Sequence, residues 1–278
     1  MTQLAEAPSA PAVLEATVNY VLNTGGVLYN YTGGPGSTAH KTNIAADPRS
    51  VTIHNGRVAH EKFDLDAQGF ECVEHQTHVR NFSDPAEVSA RYYAEMRDLV
   101  KERTGARRVV VFDQTIRTAD EEKRERLKMR EVVRRVHNDY TEWSARQRVR
   151  DVLPNEADAL FKSRFAIVQV WRPINHPVET HPLALCDARS VDEARDLIVS
   201  ERRYPDRVGQ TYAVCANAAH KWFWFPRLRR DEALVFKVYD SLADGRARYT
   251  PHTAFDDPTT PANARPRESI EARMFAFY

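Results

Sequence analysis

Three short patterns in this 278-residue chain carry side chains whose chemistry would combine. The first is His137-x-Asp139 in VHNDYTEW, where alone in the chain an acid stands two places after a histidine. On a strand, positions i and i+2 point to the same face, so imidazole and carboxylate could reach one ion. Ten histidines and 39 acids give about 1.4 such pairs by chance, so an exposed His and Asp at a strand end is an equally simple reading. The second pattern is His252 in YTPHTAFDDP, flanked by Tyr249 and Phe255 as a strand entry would be. The strands of a barrel could bring it opposite the first pair. Two histidines and one carboxylate would then occupy one face of an iron and leave three positions open for small molecules. The third is Arg267-Glu268-Ser269, opening the last strand candidate. Its guanidinium fork could hold a carboxylate bidentately while the hydroxyl adds a further hydrogen bond. A surface arginine is the plain alternative.

Candidates for a substrate pocket are weaker. In the strand Ile167-Gln169-Trp171, one face sets a polar amide between large apolar groups, suited either to orienting a ligand or to core packing. Arg172 and Arg189 could pair with a substrate carboxylate or form structural ion pairs, and Lys237 and Tyr239 in FKVYDS stand in the same position. His75 and His78 look like a metal cluster on paper, but on a strand they face opposite sides. The aromatic run Trp222-Phe223-Trp224-Phe225 is expected in a core or a dimer contact. No Walker, GxSxG or dinucleotide fingerprint is present: GGPGS at 33–37 lacks the Lys-Ser/Thr continuation.

The elements that must position these residues are mostly strands. Short apolar runs broken by Gly, Pro, Asn and Asp occupy 16–80. A helix is expected over 84–103, with Ser83 or Asp84 as cap, Pro85 in the first turn, Val88, Tyr92, Met96, Leu99 and Val100 on one stripe, and Gly105 as stop. Residues 108–113 read as a buried strand, and the highly charged 119–131 as a solvated helix or a loop able to close over a site. Strand candidates follow at 164–171, 182–187, 211–216, 221–225, 233–240, 248–255 and 269–278. Two short helices interrupt them, one over 154–162 and one opened by Ser190 with Glu193 at capping-box spacing. Strands of this length without βαβ alternation predict a mainly β fold with flanking helices, a jelly roll or double-sheet barrel. A flexible N-terminal arm over 1–15 and a single domain over 16–278 are expected.

Composition narrows the partners. Lys and Arg total 40 against 39 acids, a net charge of +1, so charge points to neither nucleic acid nor an anionic membrane. No run approaches the roughly 18 apolar residues of a membrane span, and the three cysteines are odd in number and far apart. A soluble cytoplasmic protein is expected, acting on a small molecule, with a homodimer or a companion biosynthetic enzyme compatible with the sequence.

The segments GFECVEHQTHVRNF, RRVVVFDQT, VHNDYT, FAIVQVWRPI, PLALCDARSV, KVYDS, RYTPHTAFDDPTTP and RESIEARMFAFY resemble the gibberellin-desaturase-like hydroxylase/desaturase group. This group of Fe(II)/2-oxoglutarate-dependent oxygenases belongs to secondary metabolism and includes the subunit implicated in cephamycin 7-methoxylation. The resemblance runs from about residue 16 to the end. It implies a double-stranded β-helix (cupin-like) core, iron bound by His137, Asp139 and His252, and the distal carboxylate of 2-oxoglutarate held by Arg267 with Ser269. Arg273 rivals Arg267 for that role. It further implies that O2 and 2-oxoglutarate are consumed, giving succinate, while a small carboxylate or amino-acid-like metabolite is hydroxylated, desaturated or cyclised. Gln169, Trp171, Arg172 and Tyr239 are the candidates for substrate contact. The chain has Gln169 and Gln114 where the group commonly has Asn and His, departures that touch substrate choice. A non-catalytic binding subunit of a metabolite-modifying complex, or a metal enzyme of the same fold without the keto acid, are the alternatives.

Overall fold

Apolar residues that alternate along some strands and fill others completely build two layers, seen in a computed structural model that describes residues 10–33, 39–127 and 129–278. Gly34 to Ser37 of GGPGS, residues 1–9 of the expected arm and Lys128 lie outside the described residues. Strands run β1 (Val13–Val21), β2 (Leu28–Thr32), β3 (His40–Thr42), β4 (Ala46–Asn55), β5 (Phe70–Glu74) and β6 (Arg108–Thr118). They continue as β7 (His137–Asn138), β8 (Phe165–Pro173), β9 (Leu183–Cys186), β10 (Leu197–Arg203) and β11 (Val208–Val214). The last are β12 (Trp222–Trp224), β13 (Glu232–Asp240), β14 (His252–Ala254) and β15 (Glu268–Phe277).

Among the described residues, ten strands form a major sheet in the order β1-β4-β12-β9-β14-β7-β11-β10-β2-β3, and five a minor sheet in the order β5-β13-β8-β15-β6. The two pack face to face as a jelly roll, the double-stranded β-helix expected from the sequence. Strand β8 is buried along its whole length because both its faces are covered. Phe165, Ile167 and Trp171 turn into the core between the sheets. Ala166, Val168 and Val170 turn outward into a second core. β15 repeats the arrangement, with Ile270, Ala272 and Met274 outward and Phe275 and Phe277 inward. The polar residues Ser269, Glu271 and Arg273 therefore share the inner face.

The second core is closed by a helix that begins as α1 (Pro85–Glu87), passes through a π turn (Val88–Tyr92) and continues as α2 (Tyr93–Thr104). Asp84 caps it by accepting from the Ala86 N–H, and Gly105 ends it at φ 70°. Its buried stripe is Val88, Tyr92, Met96, Leu99 and Val100, as the spacing predicts. Helix α3 (Glu121–Leu127) falls in the charged 119–131 segment and buries no residue.

Several expectations are corrected. The arm does not extend to residue 15: β1 starts at Val13 and pairs with β4, because Leu14, Ala16 and Val18 alternate into the core. Helix α4 (Glu142–Val152) was not expected, and the helix expected over 154–162 is α5 (Ala157–Leu160). Ser190 does not cap helix α6 (Glu193–Asp196). Asp192 does, accepting from Ala194 and Arg195, while the Ser190 hydroxyl serves Asp187 and Lys221. Trp222, Phe223, Trp224 and Phe225 are all buried in the central core, so the run is core rather than dimer contact. No helix among the described residues is long and apolar enough to cross a membrane.

Candidate metal and co-substrate site

Antiparallel pairing sets His252 of β14 directly opposite His137 of β7. Their rings lie with centroids 4.4 Å apart, and Asp139, the first residue after β7, completes a group whose ligand atoms all lie within 4.8 Å of one another. The link between the segments is Asn138. Its amide donates to the carbonyls of Tyr140 (2.8 Å) and Val238 (2.9 Å), and its Oδ1 accepts from the Thr250 N–H (3.2 Å). A buried amide with its capacity met on three segments fixes where the three side chains stand. Thr250 in turn lies so close to Gly69 that a Cβ there would sit 2.3 Å from its hydroxyl oxygen, and Gly69 also has φ 90°.

Each histidine has one ring nitrogen committed. His137 Nδ1 lies 2.8 Å from the Arg135 carbonyl and His252 Nδ1 3.0 Å from the Thr250 carbonyl. A carbonyl only accepts, so each Nδ1 carries the proton and each Nε2 keeps its lone pair, the tautomer that metal-binding histidines use. Burial, followed by the neighbouring His137, pushes the His252 pKa down to about 3, so its ring is neutral.

Asp139 divides its carboxylate. Oδ2 accepts from Gln169 Nε2 (2.7 Å) and Arg273 Nε (2.9 Å), while Oδ1 lies 3.5 Å from His137 Nε2. Burial works against the charge, but Arg273 outweighs it and holds the carboxyl well below the usual range. Two imidazoles and one ionised carboxylate on one side of a point form the donor set that non-haem iron takes.

Just ahead of β15 stands an arginine of a different kind. Arg267 is only 2% exposed, and among the described residues it has no carboxylate partner. One Nη donates to the His181 carbonyl, its guanidinium lies 5.3 Å from the Trp171 ring centroid, and its Nε has no partner. His181 adopts the left-handed φ of 47°, and the same turn brings Thr180 Oγ1 to the Arg267 N–H at 2.9 Å. Burial, then repulsion from Arg117, lowers the Arg267 pKa to about 9. Ser269 Oγ is likewise buried without a partner. Unmet buried donors of this kind are costly unless an acceptor joins them, and a carboxylate fits both. The rival Arg273 is engaged by Asp139, Asp113, Thr115 and Glu271.

The substrate candidates separate. Gln169 and Trp171 share the inner face; the Gln169 amide nitrogen donates to Asp139 and so positions the carboxylate, while its Oε1 is buried without a partner among the described residues. Arg172 points the other way, into the outer core, where it bonds His75 and lies over the Tyr92 ring; the expected substrate contact is corrected by strand alternation. Tyr239 packs with Phe165 and Tyr249, its hydroxyl buried without a partner. Lys237 pairs with Asp66 and Asp240, and Arg189 with Asp187 and Glu61. His75 and His78 lie beyond the end of β5, on Arg172 and Glu95, and join no metal-ligating group among the described residues. The cleft residues Arg117, Trp143 and Arg202 carry no sequence signature and escape sequence reasoning.

Comparison with known proteins agrees with this geometry. Residues 18–277 match the family model described as "Oxidoreductase/YMDC permease-like domain". The chain is 37% identical to the hydroxylase/desaturase CTB9 of Cercospora beticola over 84% of its length and 77% of the relative's. It is 34% identical to the hydroxylase/desaturase efuI of Hormonema carpetanum, covering 96% of this chain and 97% of that one. The Fe(II)/2-oxoglutarate-dependent dioxygenase nvfI of Aspergillus novofumigatus is 32% identical over 90% of both chains. A solved structure of the iron and alpha-ketoglutarate-dependent endoperoxidase NvfI superposes with a TM-score of 0.85 at 31% identity, covering 96% of this chain and 98% of that one. These relatives favour an enzyme over a non-catalytic binding subunit. Fold, donor set and relatives together show that the chain belongs to the Fe(II)/2-oxoglutarate-dependent dioxygenases, in their hydroxylase/desaturase group.

Proposed function

We propose that residues 16–278 work as one oxygenase domain in which His137, Asp139 and His252 bind Fe(II), and Arg267 with Ser269 holds the distal carboxylate of 2-oxoglutarate. The reaction is hydroxylation, desaturation or cyclisation of a small carboxylate or amino-acid-like metabolite. The observation that carries this reading is the triad itself, with both imidazole tautomers fixed by carbonyls and one Asp139 oxygen left on the histidine side. Iron, the keto acid and O2 together supply the oxidising power for C–H cleavage, the keto acid leaving as succinate and CO2. The chain's own residues orient and exclude. Gln169 and Arg273 hold Asp139 ionised and turned to one side. Trp171 covers the Arg267 guanidinium and keeps it desolvated, which strengthens its hold on a carboxylate.

The test is an anaerobic titration of the metal-free protein with Fe(II) and then 2-oxoglutarate, following the weak visible charge-transfer band of a chelated keto acid. The band is expected in the unmodified protein and lost in His137→Ala and in His252→Ala. Arg267→Ala should still bind iron but weaken 2-oxoglutarate about tenfold or more. Stoichiometric iron retained by both histidine variants would refute the ligand assignment.

A further inference from the structure

A cleft of about 690 Å³ opens beside Asp139 and Arg273, a volume that suits a small molecule. Its wall carries Arg117, Arg130, Arg148, Arg202 and Arg207. None of these five lies within ion-pair reach of a carboxylate among the described residues. Most arginines elsewhere are matched, among them Arg57 with Glu232, Arg164 with Asp240, Arg246 with Asp244 and Arg265 with Glu179. The acids on the cleft wall are already engaged, Asp113 and Asp139 by Arg273 and Asp151 by Gln147. In a chain whose net charge is only +1, this hollow sets six arginines, Arg273 included, against three aspartates, a net positive field that opens beside Asp139.

Arg117 lies deepest. On β6 it pairs with Ser269 of β15, and one Nη donates to the Glu131 carbonyl at 2.8 Å, leaving its other N–H groups without a protein partner. Burial lowers its pKa, and the nearby Glu271 carboxylate only partly offsets this. Arg202 stands on the far wall, on β10. The cleft lining also includes Trp143, half exposed although large and apolar, a surface that can cover a flat ligand.

We propose that this cleft binds the substrate by an anionic group, a carboxylate or a phosphate ester, with Arg117 and Arg202 reading the charge and Trp143 covering an aromatic or flat apolar body. Arg130, Arg148 and Arg207 supply the surrounding field that draws the anion in. The term substrate rests on the oxygenase reading; the charge preference of the cleft does not.

The test uses metal-free full-length protein and equilibrium dialysis of 2-naphthoate, 2-naphthyl phosphate and neutral 2-naphthamide at low salt. At least one anion should bind about tenfold or more tighter than the amide, as expected for charge-assisted hydrogen bonds. The tighter of the two anions names the group. That advantage should shrink to about threefold or less in Arg117→Gln/Arg202→Gln and persist in Arg267→Gln. Trp143→Ala should weaken anion and amide alike. Equal binding of amide and anions by the unmodified protein overturns the proposal without any variant. So does an anion preference that survives Arg117→Gln/Arg202→Gln but disappears in Arg267→Gln, which would place the anion in the co-substrate pocket. Loss of the charge-transfer band with the anion preference intact would instead fault the oxygenase reading alone.

Discussion

Asp139 shows how much work one carboxylate divides. One oxygen faces His137, while the other is bound by Gln169 and Arg273, two residues of the opposing sheet. Replacing Gln169 by Leu keeps the volume and removes one of those donors. Fe(II) affinity measured by titration should fall about tenfold or more, the usual cost of losing a hydrogen bond to a metal ligand, with the melting temperature little changed. An unchanged affinity would show that Arg273 alone suffices. The sequence placed the triad residues in order and the inner-face pair Gln169 and Trp171 on one strand, because period-two alternation is a local property. It could not say that the amide of Gln169 ends on Asp139, since that contact depends on two sheets meeting. Arg172 was misjudged although the same alternation turns it outward, one place beyond Trp171.

Among elements, the helix ending at Gly105 was legible because it has a cap, an apolar stripe and a stop. Helix α4 was not. Only Ala145 and Val149 of its apolar residues are buried, and its capping box closes with Ser144 rather than the usual Glu or Gln. Its cap matters because Thr141 follows Asp139 by two residues and tethers the helix to the triad loop. Thr141 Oγ1 accepts from the Ser144 N–H at 3.1 Å, so Thr141→Ala should cost about 1 kcal/mol in urea unfolding. Strand β10 escaped notice for a related reason: apart from Leu197 and Ser200 its residues are half buried or, at Val199, exposed, and its alternation is weak. The long central strands β8, β13 and β15 were found readily, since burial on both faces leaves them rich in apolar residues with only a few polar ones between.

At the scale of the whole molecule, several histidines are buried or half-buried structural groups whose pKa is held down. His220 sits between Tyr20 and Asp196, and burial lowers its pKa despite that aspartate. His75 and His181 are lowered as well, by burial first and then by Arg172 and Arg134 respectively. A histidine whose folded pKa lies below its ordinary value of about 6.5 takes up protons more readily when unfolded. The stability it contributes is therefore complete above about pH 6.5 and is lost as pH falls through the folded value. The melting temperature of metal-free protein should drop between pH 7.5 and pH 5.5, and a flat or rising curve by calorimetry would contradict this.

The alternation of β15, which sends Ser269, Glu271 and Arg273 to one side and Ile270, Ala272 and Met274 to the other, also constrains how such a chain can change over time. Substitutions within that strand trade one side chain for another in place. Losing or gaining a single residue within it would turn over the part of the strand on one side of the change, burying charge against the helix or turning greasy groups toward the reaction centre. Length variation should therefore accumulate in surface turns such as 241–246 and spare the final strand, whatever substrate each lineage comes to prefer.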